Sequence, residues 1–179
     1  TIEADQHLLV VSLVVGRRAV PMYWRAYHAS VLKGRMKRYE LAVIRRAVGR
    51  VAKAVGTRRV IVTADRGFAD VALFTLLSQL GITFIIRVKA GTHVAFQGKW
   101  SKLGQLRFRG HERHRSFGAL LYCESCPQRL WVSKSRARDA KGNWGIWHLV
   151  SNRPYAAPAA ANEYGHRFGC EEGFRDAKW

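Results

Sequence analysis

The chain has 179 residues, of which 48% are apolar, so it is long enough to bury a sizeable core within one domain. Thirty-one Lys and Arg residues against twelve Asp and Glu residues give a formal net charge of +19, which favours nucleic acid over a membrane surface as partner. The sequence contains no apolar run long enough to span a membrane and no secretory signal, and it has three cysteines, an odd number. We therefore expect a cytoplasmic protein without disulfides.

The first half of the chain alternates apolar strands with a basic helix. Leu8–Val15 is a continuous apolar run that predicts a strand buried on both faces, and Ala19–Trp24 predicts its hairpin partner across the turn at Gly16. From residue 35 to 55 apolar residues recur at helical spacing and are interleaved with cations, which predicts an amphipathic helix with a basic outer face. Those cations fit a solvated face or contacts with phosphate.

A strand, helix and strand follow in close succession, with an acid at the first strand end. Val60–Ala64 is a short β-branched run, residues 69–80 form a helical pattern closed by Gly81, and Ile82–Val88 is the next strand. Such a unit implies parallel strands, whose carboxyl ends usually carry the ligand site. Asp65 lies at that end, where it is either a site residue or a cap of the following helix.

Residues 89–154 are rich in Gly, Arg and aromatic residues, and they contain three runs that predict strands, near 117–123, 129–133 and 145–151. Arginine beside aromatic side chains suits contact with the DNA backbone and stacking on bases, although packing in the core is the commoner fate of one Trp. The residues concerned are Trp100, Arg107, Phe108, Arg109, Arg113, Arg115, Arg136 and Arg138.

Two pairs of soft ligands occur in the same segment. His111 and His114 precede Cys123 and Cys126 at spacings that are found in structural zinc sites. The spacing is therefore compatible with a structural Zn²⁺, while surface histidines in a basic loop are the more ordinary interpretation.

The last sixteen residues carry a charged stripe. If Tyr164–Trp179 is helical at about 100° per residue, four side chains fall within about 60° of one another. They are Tyr164, Arg167, Glu171 and Lys178. One face would then present a carboxylate, two cations and a phenol, which suits either metal-assisted phosphodiester chemistry or a solvated face with ion pairs. Pro158 suits the first turn of a helix in the preceding alanine-rich segment.

The spacing Tyr-x2-Arg-x3-Glu-x6-Lys resembles the Y-R-E-K signature of DDE transposases of bacterial insertion sequences, in the family called IS-four. The segment Asp65-Arg66-Gly67-Phe68 is similar to that family's second catalytic acid and its surroundings. The resemblance covers nearly the whole chain and implies an α/β fold, with an RNase H-like mixed sheet flanked by helices and a β-rich insertion at 89–154 before the last helix.

The resemblance also implies roles for these residues. Asp65 and Glu171 would be catalytic acids that hold two Mg²⁺ ions, for which Mn²⁺ can substitute, and the DNA contacts would be Tyr164, Arg167, Lys178 and Arg66. The partners would be transposon-end and target DNA, bound by a dimer in a nucleoprotein complex of the bacterial nucleoid.

The family's first catalytic acid should lie on a strand before Leu8, and we expect it upstream of Thr1. The chain, residues 1–179, would then be a catalytic core that lacks its first strand and is inactive as it stands. The alternatives are a non-catalytic basic nucleic-acid-binding domain, a decayed transposase remnant, and a nuclease with the RNase H-like fold.

Overall fold

The computed structural model describes residues 5–16, 18–138 and 142–168. These residues fall into two compact units, one that ends at Val60 and one that comprises Ile61–Phe168. Each unit has its own secondary structure and its own buried residues.

The first unit is a β-hairpin followed by a long helix. Strands β1 (Gln6–Val15) and β2 (Arg18–His28) pair in antiparallel fashion. Gly16 turns the chain between them at φ +60°, a conformation that glycine adopts without a steric penalty. A single turn, α1 (Ala29–Leu32), precedes α2 (Met36–Val55). The predicted hairpin and basic helix are therefore confirmed.

The burial predicted for the first strand is wrong. No residue of β1 is buried, and Leu13 and Val15 are 48% and 59% exposed. The reason is that β1 and β2 form a sheet of only two strands, so few side chains within the unit cover its faces.

The second unit is built on one seven-stranded sheet of order β3-β4-β9-β8-β7-β5-β6. Strand β3 pairs with β4 in parallel, and the other neighbours are antiparallel. The strands are β3 (Ile61–Ala64), β4 (Thr83–Arg87), β5 (His93–Phe96), β6 (Lys99–Lys102), β7 (His114–Tyr122), β8 (Gln128–Arg138) and β9 (Trp144–Ser151).

Helix α3 (Val71–Gln79) connects the two parallel strands. It begins at Asp70, whose carboxylate accepts a hydrogen bond from the Ala72 backbone N–H at 2.7 Å. Phe74 stacks on Phe84 of β4 with ring centroids 5.1 Å apart, so the helix packs on the sheet through aromatic contact. The strand, helix and strand predicted around Asp65 are confirmed.

Strands β7, β8 and β9 confirm the three predicted strands; each observed strand is longer than predicted, and β7 ends one residue earlier. Because β9 pairs with β4, these strands continue the sheet that contains the parallel pair. The assignment of 89–154 as an insertion stays a prediction.

Helix α4 (Ala157–Gly165) packs its alanines and Tyr164 against Ile85, Trp147 and Leu149 of the sheet. Pro158 lies in its first turn, as predicted. The helix begins seven residues before Tyr164, however, because the alanine-rich segment is itself helical. Beyond α4 the chain continues as a 3₁₀ turn, His166–Phe168, and the rest of the predicted terminal helix lies outside the described residues.

The predicted fold class is confirmed as a mixed α/β fold with a mixed sheet flanked by helices, consistent with an RNase H-like transposase fold. In the part of the chain that the structure describes, no helix has the length and apolar character needed to cross a membrane.

Candidate active site

Asp65 lies where β3 ends, at the carboxyl end of the parallel pair. It is half-buried, and its Oδ1 accepts a hydrogen bond from the Arg66 backbone N–H at 2.7 Å. This contact caps the 3₁₀ turn Arg66–Phe68, whereas α3 is capped by Asp70. Asp65 is therefore not the cap of the helix that follows, and one of its two carboxylate oxygens is held by its own turn.

Tyr164 reaches Asp65 from α4. Its Oη donates a hydrogen bond to Asp65 Oδ1 at 3.3 Å, although 99 residues separate the two in sequence. Among the described residues, both donors to the Asp65 carboxylate contact Oδ1, and Oδ2 receives none. Within the described part of the chain, the carboxylate is thus oriented by two donors that share one oxygen.

The Tyr164 phenol is fully buried, and this burial raises its pKa. The positive charge of Arg167 lowers the pKa, the negative charge of Asp65 raises it, and Arg87 lowers it again. Because the net shift is upward, the phenol keeps its proton at neutral pH and acts as the donor toward Asp65.

Aromatic side chains fix the position of the Tyr164 ring. The Trp147 ring meets it edge to face, with centroids 5.1 Å apart and planes at 71°. Phe168 packs against both rings, at 5.5 Å from Trp147 and 6.2 Å from Tyr164. The Arg167 guanidinium lies 5.5 Å from the Tyr164 centroid and 4.8 Å from the Phe168 centroid. Arg167 is thereby held beside the phenol that contacts Asp65.

Arg87 was not among the predicted site residues. It is the last residue of β4, and it follows Ile86, the parallel partner of Ala64, just as Asp65 follows Ala64. Its charge acts on the Tyr164 phenol, so it belongs to the same neighbourhood. The rule that placed Asp65 at a strand end also applies to Arg87, the one charged residue of its strand, and could have found it.

The structure therefore brings together Asp65, Tyr164 and Arg167 from the predicted set. The Arg66 side chain is exposed at the start of the turn that follows Asp65. Glu171 and Lys178 lie outside the described residues, and the predicted pairing of Asp65 with Glu171 stays a prediction.

The structure does not bring the four possible zinc ligands together. His114 opens β7 and its Nδ1 lies 3.0 Å from Ser135 Oγ, while Cys123 follows the other end of that strand. Nine residues of extended chain span about 30 Å, so the histidine and cysteine pairs cannot share one ion. The described residues contain no group of three or more His, Cys, Asp or Glu side chains that could hold a metal ion. Cys123 instead meets the Ser125 hydroxyl at 3.3 Å, and this hydrogen bond lowers the pKa of its thiol.

The cations of the β7–β9 region are paired with aromatic rings. The guanidinium groups of Arg113 and Arg138 lie 5.6 Å and 5.0 Å from the centroid of Trp144, which is 57% exposed. Arg136 lies 4.9 Å from the Phe108 ring. Cationic groups over an exposed indole form a surface that suits bases and phosphates.

Comparison with models of protein families finds a match over most of the chain. The model described as "Transposase DDE domain" matches residues 29–179, a range that contains Asp65 and all of α4. A search of curated proteins finds no match.

Proposed function

This chain belongs to the family of transposase DDE domains, and from that premise we propose that it is a catalytic domain for metal-dependent cleavage and strand transfer of transposon-end DNA. The observation that carries the proposal is the hydrogen bond from Tyr164 to Asp65. It links the acid of the Asp-Arg-Gly-Phe segment to the first residue of the Tyr-Arg-Glu-Lys pattern. Two matches that are far apart in sequence thus meet at one place.

Asp65 is proposed as a metal ligand and catalytic acid, together with Glu171. The oxygen donor of Asp65 is of the kind that Mg²⁺ and Mn²⁺ prefer, and Oδ2 has no donor among the described residues. Bound ions of this kind would activate the attacking hydroxyl and neutralise charge on the phosphodiester. A single described carboxylate is a partial ligand set, so the proposal requires Glu171 or another acid to complete it.

The remaining residues have positioning and binding roles in this proposal. Tyr164 orients the Asp65 carboxylate by donating a hydrogen bond from its hydroxyl. The packing of the Tyr164 ring against Trp147 holds that hydroxyl in position. Arg167, Arg66 and Lys178 would hold DNA phosphates through charge-assisted hydrogen bonds. Because the Tyr164 ring is fully buried, its predicted contact with DNA would require α4 or the adjoining turn to move.

The wider setting follows from the family and is proposed with it. The substrate would be the ends of a bacterial insertion sequence and a target DNA, and the active form would be a dimer that assembles on them, in the cytoplasm at the nucleoid. The Y-R-E-K subclass is proposed on the residue spacing alone.

The test is DNA cleavage in Mg²⁺ by the protein expressed with any coding sequence that precedes Thr1. Asp65→Asn and Glu171→Gln should each abolish cleavage and strand transfer while DNA binding in a gel-shift assay is retained. Asp70→Asn is the matched control and should leave cleavage intact. It removes the same charge five residues after Asp65, and Asn can still cap α3.

Three outcomes separate the alternatives. Cleavage that survives Asp65→Asn would refute the proposed active site. DNA binding without any cleavage by the unmodified protein would identify a binding domain or a decayed enzyme. Cleavage without joining of the 3′ ends to a target would identify a nuclease.

A further inference from the structure

The surface concerned is a cationic cluster in the first unit, which we name the β2–α2 patch and define as Tyr23, Arg25, Arg46 and Arg50. The Arg25 Nε donates a hydrogen bond to Tyr23 Oη at 3.2 Å. From α2, the Arg50 guanidinium lies 5.6 Å from the centroid of the Tyr23 ring. Arg46 precedes Arg50 by one helical turn, and its charge also acts on the phenol. Three guanidinium groups from two elements therefore surround one phenol.

The Tyr23 hydroxyl and the three guanidinium groups of the patch can still donate hydrogen bonds to a ligand. The Tyr23 oxygen accepts from Arg25, so its own proton remains to be donated. All three arginines are exposed, and within the described residues none of them forms an ion pair with a carboxylate. On α2 the acid is Glu40, and it pairs with Lys37 at 2.9 Å. The cluster thus collects positive charge with no internal counter-charge.

The electrostatics agree with the geometry. The hydrogen bond from Arg25 lowers the pKa of Tyr23, and the charges of Arg25, Arg46 and Arg50 lower it further. Like charges held close together repel one another, and this cost is relieved when an anion binds among them. An anion with several acceptor oxygens would accept from the phenol and from the guanidinium groups together.

We propose that the β2–α2 patch binds the phosphodiester backbone of duplex DNA. The inference rests on the proposed function in one respect, which is that the polyanion is DNA. It adds an interface made by residues that neither the Tyr-Arg-Glu-Lys pattern nor the Asp-Arg-Gly-Phe segment contains.

The chain offers a matched control on the same helix. Arg38 and Arg45 are exposed residues of α2 that lie about 80–100° around the helix from Arg46. Replacing this pair by Gln removes the same charge, from the same element, as replacing Arg46 and Arg50. A difference between the two double variants therefore reports position rather than net charge.

The experiment is fluorescence anisotropy with a labelled duplex of about two helical turns, titrated over a range of salt concentrations in EDTA. If Arg46 and Arg50 each contact a phosphate, Arg46→Gln/Arg50→Gln should reduce the slope of log K against log[salt] by about 2. Arg38→Gln/Arg45→Gln should leave the slope nearly unchanged. Tyr23→Phe, which removes the phenol proton, should weaken binding by about three- to tenfold. Circular dichroism confirms that each variant is folded.

Equal changes in the two double variants would overturn the inference, since binding would then follow total charge. Unchanged slopes in both would overturn it as well. EDTA removes the divalent ions that DNA cleavage and strand transfer would require. The measured DNA affinity therefore does not depend on catalysis. Cleavage that survives Asp65→Asn, with the patch effect intact, would therefore refute the proposed function alone. Loss of cleavage in Asp65→Asn, with unchanged salt slopes in the patch variants, would refute the patch alone.

Discussion

His148 should make the second unit sensitive to acid. Its side chain is 7% exposed on β9, opposite Lys134 of β8, which is itself 4% exposed and donates from Nζ to the Leu106 carbonyl at 2.5 Å. The His148 Nε2 is buried without a hydrogen-bond partner among the described residues. Burial, followed by the charges of Lys134 and Arg87, lowers the pKa of His148 from 6.5 to about 4.

The sign of the effect follows from proton uptake. Between pH 6.5 and pH 4 the unfolded chain binds a proton at His148 that the folded chain excludes, so stability falls as the pH is lowered. A shift of this size corresponds to a loss of about 2 kcal/mol by pH 5 and about 3 kcal/mol by pH 4. Domains are stable by about 5–15 kcal/mol, so the loss is a substantial fraction.

The assay is urea denaturation followed by circular dichroism at several pH values, for the wild type, His148→Leu and His166→Gln. His148→Leu cannot take up the proton, and its free energy of unfolding should fall by about 2–3 kcal/mol less than that of the wild type between pH 7 and pH 4. His166 is exposed, so His166→Gln should follow the wild type. Parallel curves for the wild type and His148→Leu would refute the reasoning, and so would a His148 pKa above 6 measured by NMR.

Two further predictions concern hydrogen bonds that connect distant parts of the second unit. Tyr164→Phe keeps the buried ring but removes the donor to Asp65, so the unfolding free energy should fall by about 1 kcal/mol, seen as a decrease of about 2–4 °C in melting temperature. Tyr164→Ala should cost about 3–5 kcal/mol, and an unchanged melting temperature in Tyr164→Phe would contradict the proposed contact. The Asn152 side chain accepts from the Phe84 N–H at 3.1 Å and donates to the Ile82 carbonyl at 2.9 Å. Asn152→Ala should therefore cost about 1–3 kcal/mol in urea denaturation, and an unchanged midpoint would show that water replaces both bonds.

Local sequence patterns were sufficient to predict the strand and the helix around Asp65, because the signals for these elements come from neighbouring residues. The β-branched run before Asp65, the helix after it and Gly81, which adopts φ +68°, are specified by neighbouring residues. The placement of Asp65 at the end of a parallel strand followed from the connection of these elements. This much of the candidate site was therefore predictable without coordinates.

Properties that depend on the partners of an element were not predictable in the same way. The apolar run Leu8–Val15 has the composition of a doubly buried strand, but burial requires layers on both faces that a two-stranded sheet lacks. The spacing from His114 to Cys123 resembled a zinc pattern because sequence spacing does not show whether the intervening residues fold back or extend. They extend as β7, and extension separates the two ligand pairs.

The buried polar pair on β8 and β9 shows a further limit. Lys134 and Arg136 lie two residues apart on the same face of β8, and the sequence does not indicate which of the two cations is buried. The choice is made by the carbonyls of Gly104 and Leu106, which accept from Lys134 Nζ and are 30 and 28 residues away in sequence. Acceptors so distant in sequence become known only when the fold brings them together.

The position of the Tyr164 hydroxyl depends on the long antiparallel extension of the sheet. Asp65 and Arg87 are placed by the parallel pair itself, but Tyr164 is placed by α4, which rests on Trp147 and Leu149 of β9. Strand β9 is in turn aligned by pairing with β4 on one side and β8 on the other. A change in the register of β9 would therefore move the Tyr164 hydroxyl away from Asp65 without altering either residue. On this reasoning residues 89–154 have a role besides the proposed surface for DNA, because the strand that ends this segment supports the helix that orients the proposed catalytic acid.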